Sequence, residues 1–271
     1  MKLNNMANIF DERLVLGDNI KKYIIYNEHL IRYEIAKQFV KDKKVIDIAC
    51  GSGYGSSILA KAGAEKVIGA DVDVKAVDNA NKKYKNNNIK FVVDDAENIK
   101  QDDNSFDILV SFETIEHLQN PNKFLSEAKR VVKQDGLAII STPNKKVSKE
   151  KNPFHIKEFD YSEFKNIIKK YFNYCYILEQ SNGISSYVVD ANNDNKKSQK
   201  SISAITNQKD PIYFIALCSQ NKIDYKLSPA IYSSVNTTAL QNLYNNPALK
   251  ISDKIYSTLI KIPFVKRLLK S

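Results

Sequence analysis

The side chains best equipped for chemistry crowd into one short stretch. In SFETIEHL, Glu113, Glu116 and His117 are spaced i, i+3, i+4, so a helical turn beginning at Glu113 would set all three on one face. Two carboxylates and an imidazole held together repel and titrate abnormally unless a cation joins them. Their oxygen-plus-nitrogen donor set suits Mg²⁺, Mn²⁺ or Fe²⁺ better than a thiol-loving metal. A fourth ligand is available in His155, which lies in NPFHIKEF shortly after STPN and should return to the same rim. An ion held by Glu113, Glu116, His117 and His155 lowers the pKa of a bound hydroxyl, and a carboxylate or either histidine takes the proton. The same four residues also allow a chemistry without metal, in which the acids cap a helix and a histidine is the base.

The elements that must position this group begin upstream. Val45 to Gly55 read VIDIACGSGYG, a run of strand formers ending in a glycine-rich turn, and the following strand, Lys66 to Ala70, ends on Asp71. Glycines permit positive φ and a close backbone approach to a ligand, and an acid about 20 residues after the turn accepts ribose hydroxyls, so the pattern implies an adenosine-containing ligand. Dinucleotide folds want G-x-G-x-x-G, whereas Gly51, Gly53 and Gly55 give G-x-G-x-G. Asp47 lies inside the strand, where it would repel a pyrophosphate but suits an ammonium or a sulfonium. This charge pattern favours S-adenosylmethionine over NAD.

The rest of the chain alternates strand and helix: strand 44 to 49, helix 56 to 62, strand 66 to 70, helix 74 to 84, strands 90 to 93 and 106 to 111, helix 121 to 132, strand 136 to 141. That alternation predicts an α/β fold, a mostly parallel sheet with helices on both faces. Ligands of such sheets sit beyond the carboxyl ends of the strands, which is where SFETIEHL falls. Ile20 to Val40 has helical spacings and predicts one or two helices, while Tyr161 to Tyr171 suits another. Asp190 to Ser203 is polar and aperiodic, so a mobile loop is expected there.

Three motifs, VIDIACGSGYGSSILA, VIGADVD and FVVDDAENI, resemble in order and spacing the cofactor motifs of class I S-adenosylmethionine-dependent methyltransferases. The resemblance implies a Rossmann-like seven-stranded sheet, with Tyr174 to Glu179 and Pro211 to Ser219 as a final antiparallel pair at its edge. It implies that Asp47, Ala49, Gly51 and Gly53 hold the methionine portion, that Asp71 binds the ribose, and that Asp95 with Ala96 borders the adenine. Val72 and Ser111 join this cofactor set, and Arg32, in EHLIRYEIAK, resembles a cap residue that meets the methionine carboxylate through a charge-assisted bond. Ala49 departs from the family, which more often has glycine there. Structurally, Asp71 alone would read as a strand-end helix cap and Asp95 as a turn acid.

E-x-x-E-H with a downstream histidine resembles the metal site of small-RNA 3′-terminal 2′-O-methyltransferases, and E-x-x-E-H alone resembles ubiquinone-pathway O-methyltransferases. The whole run ETIEHL, STPN, NPFHIKEF resembles methyltransferases of bacterial capsule and surface-glycan synthesis. These resemblances imply O-methylation of a sugar hydroxyl or a sugar-linked phosphate-type group, with an anionic small-molecule or glycan acceptor. Two other functions fit the same sequence: an RNA ribose 2′-O-methyltransferase, and a non-catalytic cofactor-binding scaffold. Against nucleic acid, no compact Lys/Arg patch interleaved with aromatics occurs.

The predicted organisation is an N-terminal helical cap over 1–43, a methyltransferase domain over 44–220 with a polar insert at about 190–205, and a C-terminal extension over 221–271. The extension ends in DKIYSTLIKIPFVKRLLKS, whose alternating apolar and basic residues predict a helical, amphipathic segment that packs on the domain or a partner, or lies on an anionic membrane. Net charge is +10, which favours anionic partners in general. No stretch approaches the ~18 apolar residues needed to span a bilayer, and MKLNNMANIF lacks a signal-peptide core. Cys50, Cys175 and Cys218 are odd in number and sit in apolar segments, which predicts buried free thiols and a cytoplasmic setting, with the inner face of the membrane as a place of action.

Overall fold

In this computed structural model, residues 20–148, 152–181, 184–188, 200–204 and 210–222 are described. Strands β1 (Lys44–Ile48), β2 (Lys66–Asp71), β3 (Ile89–Val93), β4 (Phe106–Ser111), β5 (Val132–Pro143), β6 (Tyr174–Gln180) and β9 (Tyr213–Ser219) form one sheet in the order β3-β2-β1-β4-β5-β9-β6. The first five run parallel, and β9 lies antiparallel between β5 and β6. The Rossmann-like seven-stranded sheet expected from the sequence is therefore present.

Strand residues alternate between two cores, as the two-residue period of a pleated strand requires when both faces are covered. In β4, Leu109 points to one core and Ile108 and Val110 to the other; in β9, Phe214, Ala216 and Cys218 oppose Ile215 and Leu217. Helices α4 (Pro121–Val131) and α5 (Tyr161–Lys169) cover the first face through Phe124, Leu125, Phe164 and Ile168. Helices α1 (Ile20–Ala36) and α2 (Tyr54–Lys61) cover the second through Tyr33, Ala36, Leu59 and Ala60, and α3 (Val74–Lys83) packs Val77 and Ala80 on Phe91. Local chemistry sets the helix starts: Asp73 caps α3, Asn120 precedes a proline in α4, and Asp160 and Glu163 make a reciprocal capping box at α5.

Three expectations need correction. β5 begins at Val132 instead of 136, because three extra residues bulge between the pairs Phe106↔Val132 and Ile108↔Leu137, a kink not signalled by periodicity. Within the stretch expected as a loop, Lys200–Ala204 forms β8 and pairs antiparallel with β7 (Ile184–Val188); alternating Ser and Ile suit a strand even in polar surroundings. Cys50 and Cys218 are buried free thiols, whereas Cys175, on the sheet's edge strand, is only half-buried. The remainder of the polar stretch and the amphipathic tail from 223 onward lie outside the described residues. Among the described residues, no helix is long and apolar enough to cross a membrane.

Candidate functional site

The turn after β1 is built from backbone conformations that side chains disfavour. Ala49, Gly51 and Gly53 take φ of +59°, +54° and +78°. For Ala49 this left-handed geometry costs about 1 kcal/mol, which gives a physical reason for the family's preference for glycine at that position. The two glycines answer different needs. A Cβ at Gly53 would lie 2.6 Å from the Phe91 ring, whereas one at Gly51 would meet nothing within 4 Å, so Gly51 faces open space. Its N–H donates to Asp71 Oδ2 at 2.8 Å, and the Asp73 N–H donates to Asp71 Oδ1 at 2.9 Å.

Asp71 thus stands at the tip of β2 beside the turn, fixed by backbone donors. Next to it Val72 is 65% exposed. After β3, Asp95 is exposed and its Oδ1 accepts the Glu97 N–H at 2.9 Å, while Ala96 is buried in the core. Glycine turn, tethered acid and bare apolar side chain lie at the carboxyl ends of adjacent parallel strands, an arrangement that fits an adenosine moiety.

Asp47 is placed differently from its expected role beside the methionine portion. It points to the α1/α2 side, is buried, and accepts hydrogen bonds from Ser56 Oγ at 2.6 Å and from Tyr33 Oη at 3.3 and 3.4 Å. The cause is strand parity, since its neighbours Ile46 and Ile48 face the opposite core. Burial pushes its carboxyl up to about 7, against the two hydrogen bonds. Asp47 ties β1 to α1 and α2, and its field reaches a cation at the glycine turn.

Arg32 comes from the same helix and is fully buried. Its Nη1 donates to Gln180 Oε1 at 3.1 Å and lies 4.0 Å from Glu113 Oε1, and its guanidinium stacks over the Tyr213 ring at 4.4 Å. Among the described residues, Nε and Nη2 have no hydrogen-bond partner. Tyr213 and Gln180 are in turn held by Glu28, through its carboxylate and its carbonyl oxygen. A buried cation with two spare N–H groups fits a carboxylate.

The acids and histidines beyond β4 do not lie on one helical face. Glu113 has φ of +52°, which breaks the helical path, and only Ile115–His117 turns, as a 3-10 helix. Glu113 therefore bonds Ser141, accepting from its Oγ at 2.8 Å, and faces Arg32. Glu116, His117 and His155 do converge, with one donor atom from each lying within 4.8 Å of the others. His155 arrives because the loop after β5 is clamped to Glu116: the N–H groups of Ile156 and Lys157 both donate to the Glu116 carbonyl, at 2.8 and 3.0 Å. The two imidazoles meet edge to face with centroids 4.8 Å apart. Of the four residues expected to gather, the structure brings together three.

Glu116 is buried, and Thr142 Oγ1 donates to its Oε2 at 3.2 Å, while Oε1 has no hydrogen-bond partner among the described residues and lies 4.0 Å from His117 Nε2. Burial raises both Glu113 and Glu116, and the Glu113 charge pushes Glu116 further up. An orphaned carboxylate oxygen flanked by two imidazoles fits a hard divalent cation, although the ligand atoms must close slightly to reach a spacing set by ~2.1 Å bonds. Ser111, at the end of β4, is likewise buried, and its hydroxyl has no hydrogen-bond partner among the described residues.

Comparison with known proteins places this geometry. Residues 46–140 match the family described as Methyltransferase domain. That stretch is a class I, S-adenosylmethionine-dependent methyltransferase domain. The chain is 29% identical over 149 residues to a probable S-adenosylmethionine-dependent methyltransferase of Mycolicibacterium smegmatis, covering 53% of this chain and 57% of that one. It is 32% identical to the mitochondrial ubiquinone biosynthesis O-methyltransferase of Dictyostelium discoideum, over 45% of this chain and 41% of that one. The chain therefore spans little more than half the length of these curated relatives, or less. The YcgJ protein of Bacillus subtilis shares the fold, with a TM-score of 0.51 at 18% identity, covering 72% of this chain and all of that one. Within residues 46–140 lie the glycine turn with Asp71, at the expected cofactor end, and Glu113, Glu116 and His117 after β4, at the expected acceptor end.

Sequence reasoning missed Ser141, Thr142, Gln180, Tyr213 and Glu158, all of which touch the acceptor-end acids, the buried arginine or a histidine. Serine and threonine inside the apolar run IISTP were a usable signal, because buried hydroxyls in a central strand need a partner.

Proposed function

We propose that the protein is an S-adenosylmethionine-dependent O-methyltransferase, assisted by a divalent ion, whose acceptor is a sugar hydroxyl or a sugar-linked phosphate-type group in surface-glycan synthesis. The observation that carries the reading is the buried Glu116 with its orphaned oxygen between His117 and His155 at the acceptor end of the sheet. Similarity to O-methyltransferases of ubiquinone biosynthesis supports oxygen as the target atom. The sugar rests on the motif run ETIEHL, STPN and NPFHIKEF, and on the aptness of vicinal hydroxyls or phosphate oxygens as chelators.

The donor supplies an electrophilic methyl on a sulfonium, and its transfer to oxygen leaves a neutral thioether. The Gly51 face and the Asp71 carboxylate orient the nucleoside, and the spare N–H groups of Arg32 meet the carboxylate of the methionine portion. An aliphatic hydroxyl is a weak nucleophile until its proton leaves. Glu116, His117 and His155 would hold the ion that lowers that pKa, and Glu113, half-buried, with its carboxyl raised and its Oε1 accepting from Ser141 Oγ at 2.8 Å, is a further proton acceptor.

Turnover of labelled donor with nucleotide-sugars should fall to background on adding EDTA and return with Mg²⁺ or Mn²⁺. Activity indifferent to chelation, with Glu116→Ala harmless, would remove the ion from the mechanism. Methylation of none of the sugar acceptors would remove the glycan.

A further inference from the structure

His155 is held on both ring nitrogens, and the two partners dictate its tautomer. The Phe154 N–H can only donate, so the Asn152 side-chain atom that receives it at 3.0 Å is the carbonyl oxygen, and the other is the amide nitrogen. That nitrogen can only donate, and it reaches His155 Nε2 at 3.0 Å, so Nε2 is the acceptor. The proton of the neutral ring must then sit on Nδ1, which lies 2.7 Å from Glu158 Oε1. The same carboxylate oxygen accepts from Ser148 Oγ at 2.8 Å, so the acid is itself oriented, and its side chain is only 19% exposed.

We propose that Glu158 is a positioning residue for His155: it anchors the Nδ1 proton and so presents the Nε2 lone pair as the one the ring can give to an ion or a proton. Asn152 occupies that lone pair and is displaced when the ion enters. The pattern is a carboxylate behind a ligating imidazole, which raises the basicity of the ligand and fixes its plane. His117 has the parallel arrangement, its Nδ1 donating to the Phe154 carbonyl oxygen at 3.0 Å, so in its neutral ring too the proton sits on Nδ1, and its Nε2 lies 4.0 Å from Glu116 Oε1. The assignment of the ion-binding role to this pair rests on the metal-assisted reading above; the tautomer does not.

The test separates the two. In the full chain labelled with ¹⁵N-histidine, at a pH where the ring is neutral, His155 should show a protonated Nδ1 and a pyridine-type Nε2. Glu158→Gln and Glu158→Ala should move it toward the Nε2–H form that free imidazole prefers. Both variants should bind Mn²⁺ about tenfold more weakly with donor affinity unchanged. A wild-type ring protonated on Nε2, or a tautomer unmoved in both variants, overturns the role of Glu158. Mn²⁺ affinity unchanged in both variants, when Glu116→Ala abolishes it, overturns the ion-binding part of the role. The expected tautomer together with no Mn²⁺ binding by the wild type supports Glu158 as the anchor and overturns the ion.

Discussion

The two ends of the sheet treat buried polar groups in opposite ways. At the cofactor end each acid is paid off by a donor: Asp47 by Ser56 and Tyr33, Asp71 by the N–H groups of Gly51 and Asp73, Asp94 by those of Asp95 and Lys100. Around Glu113 and Glu116 the pattern differs: among the described residues Glu116 Oε1, Arg32 Nε and Nη2, and Ser111 Oγ are all buried without a hydrogen-bond partner, Arg32 and Ser111 being residues expected in the cofactor set. Unsatisfied buried groups cost roughly 1–3 kcal/mol each, so the first end is a finished framework and the second carries stored cost that a ligand relieves.

The sharpest way to break this contrast is Glu116→Gln. It should cut turnover about 100-fold or more while leaving the urea midpoint unchanged or raised, because the uncompensated buried acid is gone. A large loss of stability would mean that Glu116 belongs to the framework. At the other end Gly55→Ala should do the reverse, destabilising the fold by about 3 kcal/mol or preventing folding, since its Cβ would fall 1.9 Å from the Tyr33 ring; urea unfolding measures this.

The third effect is a pH slope. Asp47 titrates near 7 in the folded chain, above its unfolded value, so the folded state holds a proton that the unfolded state has lost. Its contribution is complete below about pH 4 and disappears as pH rises through 7, so unfolding at pH 5 should require more urea than at pH 8. Asp47→Asn should flatten this slope, and an unaltered slope would assign it to other groups. The smallest effect concerns the exposed Val72: Val72→Asp should weaken donor binding by about tenfold in calorimetry with stability shifted by less than about 0.5 kcal/mol.

The backbone of the expected cofactor end was legible because its signal is local. Glycines 51 and 53, the acid at the tip of β2 and the alternation of strand and helix each constrain the backbone within a few residues. The acceptor end was legible only as a set of residue types. The spacing of Glu113, Glu116 and His117 assumes a helix, and a single left-handed residue at Glu113 sends its side chain to Arg32 and Ser141 instead. His155 was foreseeable as a rim residue, but Glu158 behind it depends on a loop fold that no periodicity reports. Asp47 shows the same limit in reverse, for strand parity fixed its face, while the partner it meets there, Tyr33, lies 14 positions away.

The contact between Gly55 and Tyr33 also constrains how this chain can diverge. With no room for one added carbon between cap and turn, neither position is free to change alone toward greater bulk. A methyl gained at 55 is tolerable only if the phenol at 33 is surrendered, and with it goes one of the donors to Asp47. Three positions far apart in sequence thus drift as a single unit, and Gly55→Ala paired with Tyr33→Leu should refold better than Gly55→Ala alone.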